Sequence, residues 1–259
     1  MATPHRDPAT RTTSSAVRIE LSIDTADGAI AADSLGVPRI ELCSAGALGG
    51  LTPGPGLLAS VLSRVRQAEV HVLVRPREGG FRYSPAEVNA MSGDVAHAVE
   101  AGAAGVVIGA LDAAGDPDRA VLADLVATAQ GRAVTFHRAI DVCRDPVAAI
   151  DQLAELGFTR VLSSGQAARA EAGIPVLTRL VRAARGRLAV MACGGIRPGN
   201  ALAVIRATGV RDLHAAPRRV TCTPHHGRSV TAGRSFAVDF GGHSELDLAV
   251  AAELLEVVR

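Results

Sequence analysis

Six helical stretches in this chain stop at a glycine and run at once into an apolar segment. That repeated stop constrains the fold more than any other feature. The glycines are Gly36, Gly102, Gly131, Gly157, Gly186 and Gly209, and the segments after them read as strands over 38–43, 104–109, 133–138, 159–163, 188–193 and 210–214. Glycine just past a helix takes the left-handed geometry that ends it without a steric cost. Two further strands, over 17–24 and 70–75, bring the count to eight, the number that closes a (β/α)8 barrel. Helices are predicted over 25–35, 56–67, 85–101, 117–130, 146–156, 175–185, 198–208 and 244–258. At 259 residues the chain suits one such α/β domain of roughly 250 residues. The alternation runs on without a linker, so a single domain is expected over 17–259, after a flexible tail over 1–16.

Proline marks the helix starts. Ser84-Pro85-Ala86-Glu87 reads as an N-cap, a first-turn proline and a capping-box glutamate. Asp116-Pro117 and Asp145-Pro146 repeat the acidic cap followed by proline, and Ile174-Pro175 and Arg197-Pro198 fit helix openings more loosely. The segment over 222–242, with His225-His226, has little periodicity and reads as a long loop.

A net charge of +1, no Trp and one Tyr argue against nucleic acid as the partner, since neither a basic field nor a set of stacking platforms is present. No apolar run approaches the roughly 18 residues of a membrane span, and the tail lacks the apolar core of a secretion signal. The four cysteines Cys43, Cys143, Cys193 and Cys222 form no CxxC pair and read as free thiols of a reducing cytoplasm.

Barrels of this kind keep their sites at the C-terminal ends of the strands, and several strands here end on polar residues. Thr135-Phe136-His137-Arg138-Ala139-Ile140-Asp141 is the densest cluster. His137 suits proton transfer, Arg138 an anion clamp and Asp141 the orientation of either; the plainer alternative is an Arg138–Asp141 pair that holds the turn. Arg75 either points a cation into the mouth or pairs with Glu20 or Glu41. The echo of Arg18-Ile19-Glu20-Leu21-Ser22 in Arg39-Ile40-Glu41-Leu42-Cys43 sends Glu20, Ser22, Glu41 and Cys43 inward, with Ile and Leu toward the helices. Glu20 and Glu41 read equally as an acid–base pair or as part of a buried salt-bridge network. His214 ends the eighth strand as a core or a functional histidine. Cys43 is either a soft ligand for Cu(I) or a small buried residue. Ser163-Ser164-Gly165-Gln166 and Cys193-Gly194-Gly195-Ile196 are glycine turns that either hold an anion through Ser164, Gly165, Gly194 and Gly195 or simply turn the chain.

Ile40-Glu41-Leu42-Cys43-Ser44 with Gly49-Gly50-Leu51-Thr52-Pro53, Arg75-Pro76-Arg77 with Tyr83-Ser84, Val134 through Asp141, and Val161-Leu162-Ser163-Ser164-Gly165 together resemble the CutC family, named for copper homeostasis. The resemblance runs from about Val17 to Arg218. It implies a TIM barrel in the cytoplasm, often a homodimer, with Cu(I) held by cysteines near the first two strands. It also implies that Glu20, Arg75, His137, Arg138, Asp141 and His214 gather at the mouth. This chain has Ser22 where copper-binding members tend to carry cysteine, and Cys193 where the family usually has a small residue such as glycine. Two functions are therefore expected to compete. One is a copper-homeostasis protein; the other is an enzyme acting by acid–base chemistry on a small anionic molecule.

Overall fold

The computed structural model describes residues 16–222 and 242–259. Eight parallel strands close into a barrel in chain order: β1 Arg18–Ile23, β2 Arg39–Leu42, β3 Glu69–Leu73, β4 Gly105–Ile108, β5 Ala133–Phe136, β6 Arg160–Ser163, β7 Ala189–Ala192 and β8 Asp212–Ala215. The helices between them are α1 Ala26–Ser34, α2 Pro55–Leu62, α3 Pro85–Glu100, α4 Arg119–Thr128, α5 Pro146–Glu155, α6 Ile174–Ala184 and α7 Pro198–Thr208. An antiparallel pair, β9 Arg218–Cys222 and β10 Gly242–Leu246, precedes α8 Leu248–Val258. The architecture is the single-domain barrel that the glycine stops predict, and all six glycines have positive φ, from +73° at Gly186 to +96° at Gly102.

Local chemistry sets the helix starts. The Ser84 hydroxyl accepts from Glu87 N–H while the Glu87 carboxylate accepts from Ser84 N–H, which completes the expected box. Asp145 caps α5 as read, but α4 is capped by Asp118, and Asp116 instead pairs with Arg144. The last helix also starts later than the predicted 244. Residues Gly242–Leu246 are held extended by β9, and Asp247 caps the helix that follows. The tail to residue 15, His225-His226 and most of the 222–242 loop lie outside the described residues.

Strand alternation separates two environments. Ile19, Leu21, Ile23, Ile40 and Leu42 join the core between barrel and helices. The opposite positions face inward, where Cys43, Leu73 and Val107 form one small apolar group and Leu162, Met191 and Cys193 another. Between these groups the interior is charged. Arg39 on β2, 1% exposed, donates from Nε to Glu20 at 2.6 Å and from Nη2 to Asp212 at 2.7 Å. Arg160 on β6 reaches Thr135 Oγ1 at 3.0 Å. Of the two readings of Arg75, the pairing with Glu20 or Glu41 is not made; Arg39 takes that place at Glu20, two residues before Glu41 and on the same face.

Two glycines make room for rings inside the barrel. A Cβ on Gly105 would meet the His71 ring at 2.7 Å, and one on Gly109 would meet the His137 ring at 2.4 Å. The β4 edge thus leaves space for imidazoles from the strands on either side of it.

Outside the barrel, Asp33 at the end of α1 fastens the segment before β3 by accepting from the N–H groups of Arg66, Gln67 and Ala68. Burial pushes its carboxyl up, but these donors outweigh that and hold it below the ordinary aspartate value. A carboxyl lowered in the folded state adds stability above its unfolded pKa of about 3.9, lost as pH falls through the folded one. Asp33→Asn is expected to be less stable than the native chain at neutral pH, with the gap closing below about pH 4. Denaturant unfolding across that range checks this, and a gap independent of pH would refute it.

Candidate functional site at the barrel mouth

A cavity of about 280 Å³ opens at the C-terminal end of the barrel. Its polar lining comes from Ser22, Glu41, Arg75, His137, Arg138, His214 and Arg218, and its apolar lining from residues such as Leu73, Phe81, Leu162 and Ile196. The turn at Gly194-Gly195 forms part of the wall. Glu41, Arg75, His137, Arg138, His214, Gly194 and Gly195 are thereby brought together. Glu20 lies directly behind His214.

On one side stands a relay that starts in the interior. Arg39 fixes one oxygen of Glu20, and the other meets His214 Nδ1 at 2.7 Å. The neighbouring register explains this, since Glu20 on β1 is the direct partner of both Arg39 on β2 and His214 on β8. With Nδ1 donating to Glu20, His214 turns Nε2 toward Glu41, whose Oε2 is 3.8 Å away. Burial would raise Glu20, but the His214 hydrogen bond and the Arg39 charge hold it well below the carboxylate range. Glu41 moves the opposite way, pushed up by burial and by the charge of Glu20. His214 is also raised, because the two carboxylates outweigh its burial. Both groups are thus shifted toward their protonated forms, and at 3.8 Å they interact through charge and not through a direct hydrogen bond.

The other side is cationic. Arg75 Nη1 donates to the carbonyls of Leu48 and Gly50 at 3.0 Å, and Nη2 to that of Gly79 at 3.1 Å. Among the described residues no carboxylate pairs with it. His137, 4% exposed, packs against Phe81 with ring centroids 4.8 Å apart. The Arg75 guanidinium lies 5.3 Å from the same phenyl centroid.

Besides Glu20, four expected site residues do not line the cavity. Asp141 accepts from Ser163 Oγ at 2.6 Å, from Ser164 N–H at 3.0 Å and from Arg138 Nε at 2.9 Å. It serves as a buttress that joins the turn after β5 to the turn after β6. Ser164 accepts from Arg138 Nη2 at 2.8 Å within that buttress. Gly165 packs on the backbone of Gly173, where a Cβ would come within 2.3 Å of the carbonyl oxygen. Cys43 is buried beneath the wall, its Sγ 3.6 Å from Ser22 Oγ. Sequence reasoning missed Arg39, Asp212, Arg160 and His71, all buried. Period two offered the signal for two of them, since Arg39 shares the inward face of Glu41 and Asp212 that of His214.

Three donors at the mouth form a group that suits a metal ion: Glu20, Glu41 and His214 offer atoms within 4.8 Å of one another, the only such group of three or more among the described residues. Lysine is absent from the chain, so no side chain here supplies the amine of a Schiff base. Of the described residues no helix is long and apolar enough to cross a membrane.

Removing Arg39 leaves buried Glu20 with His214 alone and buried Asp212 with Arg160 alone, whose Nε is 3.5 Å away. Arg39→Leu is expected to cost about 3–5 kcal/mol of stability. Arg39→Lys is expected to cost less, because it keeps the charge while losing the fork that spans both carboxylates. Urea unfolding of both variants checks the order.

Comparison with known proteins places these features in context. Residues 17–218 match the CutC family. The family protein CutC of Glaesserella parasuis serovar 5 is 42% identical over 198 residues, covering 76% of this chain and 81% of that protein. The protein of the same name from Pasteurella multocida is 40% identical over 221 residues, covering 85% and 90%. Among solved structures, a Streptococcus agalactiae protein described under the copper homeostasis name CutC superposes with a TM-score of 0.73 at 31% identity, over 76% of this chain and 97% of that one. A deoxyribose phosphate aldolase from Aeropyrum pernix, at 16% identity and a TM-score of 0.60 over 77% and 85%, shares the fold alone.

Proposed function

The chain belongs to the CutC family, and from that premise we propose that it is a cytoplasmic copper-homeostasis protein whose ligand site is the polar mouth of the barrel. The observation that carries this reading is the Glu20–His214–Glu41 arrangement. A carboxylate behind an imidazole fixes its tautomer and aims the free nitrogen at a second carboxylate, the pattern that supports histidine as a metal ligand. The copper-homeostasis name of the Streptococcus agalactiae relative supports copper as the ion.

The donors present decide which copper ion suits this chain. Cu(I) is soft and favours thiolates. Cys43 has a hydroxyl for a neighbour, and burial together with the charge of Glu41 pushes its thiol up to about 12. Cys193 belongs to a different interior group, and no cysteine joins the candidate donor set. These residues do not fit a Cu(I) clamp. The Glu41 carboxylate and the His214 imidazole, with Glu20 held behind the ring, offer oxygen and nitrogen donors that fit a divalent ion, and by the Irving–Williams order Cu(II) binds such donors most tightly among the first-row divalent metals.

A second reading rests on the cations. Arg75, Arg138 and Arg218 line the same cavity, which supports a small anionic molecule as the ligand and the His214–Glu41 pair as the group that exchanges a proton with it. A homodimer belongs to either reading and is decided by light scattering.

The two copper assignments separate in a chelator competition. Cu(II) is expected to bind with one-to-one stoichiometry, at least tenfold more weakly in His214→Gln and unchanged in Cys43→Ser. Anaerobic Cu(I) is expected to bind no better than to an exposed thiol. Tight Cu(I) binding lost in Cys43→Ser would overturn the assignment.

A further inference from the structure

His137 and His214 face one cavity, yet their surroundings give them opposite roles. His137 opens the 3₁₀ turn Arg138–Val142, and its Nδ1 accepts a hydrogen bond from the Ala139 N–H at 3.2 Å. A backbone N–H only donates, so Nδ1 carries no proton, and the neutral ring holds its hydrogen on Nε2. That Nε2 is buried and has no partner. Arg75 is in a similar position. Three of its five N–H donors are taken by the carbonyls of Leu48, Gly50 and Gly79, and the buried Nε has none. Each unpaired buried donor costs roughly 1–3 kcal/mol, which a ligand oxygen would recover. The Phe81 ring packs on both groups. Gly109 leaves the space in which the imidazole lies.

We infer that His137 is not the acid–base group of the mouth but a permanently neutral Nε2–H donor, and that with Arg75 it forms a subsite for the carboxylate of a small organic acid. The inference rests on the reading of the mouth as a pocket for a small anion. A carboxylate suits the donors because its two oxygens match one cation and one neutral N–H. Burial and the Arg75 charge push the imidazole down to about 3, which keeps it neutral at working pH. The opposite wall, His214 with Glu41, then faces the rest of the bound acid. Gly109 is a positioning residue, since any side chain there displaces the ring.

The test uses the full chain labelled with 15N-histidine. Long-range 1H–15N correlation spectra are expected to show His137 as the Nε2–H tautomer, unprotonated from about pH 5 to pH 8, the range over which an ordinary histidine titrates. Acetate is then titrated, with chloride as the ionic control and inorganic phosphate as the competing anion. A saturable shift of the His137 Nε2 signal with acetate, and weaker binding of phosphate, is the expected result. Arg75→Gln is expected to weaken acetate at least tenfold, while His137→Gln, which keeps a neutral donor, stays within a few-fold and His137→Phe does not. A protonated or Nδ1–H imidazole overturns the donor assignment even if acetate binds. The expected tautomer with no saturable response to acetate, or with tighter phosphate, overturns the carboxylate subsite. The native spectrum decides the tautomer even where a variant fails to fold.

Discussion

A guanidinium inside a parallel barrel is expensive to desolvate, and Arg39 is fully enclosed. It is tolerated because its fork spans two carboxylates, Glu20 on β1 and Asp212 on β8, at 2.6 and 2.7 Å. The dependence runs outward from there. Glu20 stays ionised because Arg39 and His214 face it, and the ionised Glu20 fixes which nitrogen of His214 carries hydrogen. That choice turns the other nitrogen toward Glu41 and the cavity. Such a network adds little net stability over an apolar filling of the same volume. What it supplies is position, since strand register and hydrogen-bond geometry together allow His214 a single orientation.

The fold is legible in the chain because the signals are local. A glycine that ends a helix and the apolar strand after it lie within a few residues of one another, and each of the six acts through its own φ. The inward carboxylates follow from alternation alone. The same rule applied one step further puts Arg39 on the face of Glu41, so the true partner of Glu20 was within reach of period two. Arg75 was not. Its donors end on carbonyls of loops contributed by residues 48, 50 and 79, and carbonyl acceptors carry no residue-specific mark. The start of the last helix was lost for a related reason. The extended state of Gly242–Leu246 is imposed by pairing with β9, a contact across a segment without periodicity.

Asp141 shows how site chemistry and scaffolding use the same residue types. A carboxylate beside His137-Arg138 at a strand end invites a catalytic role, but its oxygens are taken by Ser163, Ser164 and Arg138. It joins two neighbouring turns and so fixes where the Arg138 guanidinium stands. The glycine pairs divide in the same way, Gly194-Gly195 lining the cavity and Gly165 serving a close backbone approach.

The copper and the proton chemistry proposed for this mouth would draw on a single lone pair. His214 Nε2 ligates a cation only when it is unprotonated, and it serves as an acid only when it is not. Glu41 is shared in the same sense, its raised carboxyl taking the proton that a cation would displace. A divalent ion between Glu41 and His214 would therefore silence the acid–base wall while leaving the Arg75–His137 side intact. An anion held on that side would in turn offset the cation's charge within the small cavity. The two readings thus describe one polarised pocket, and the occupant of the His214 nitrogen decides between them.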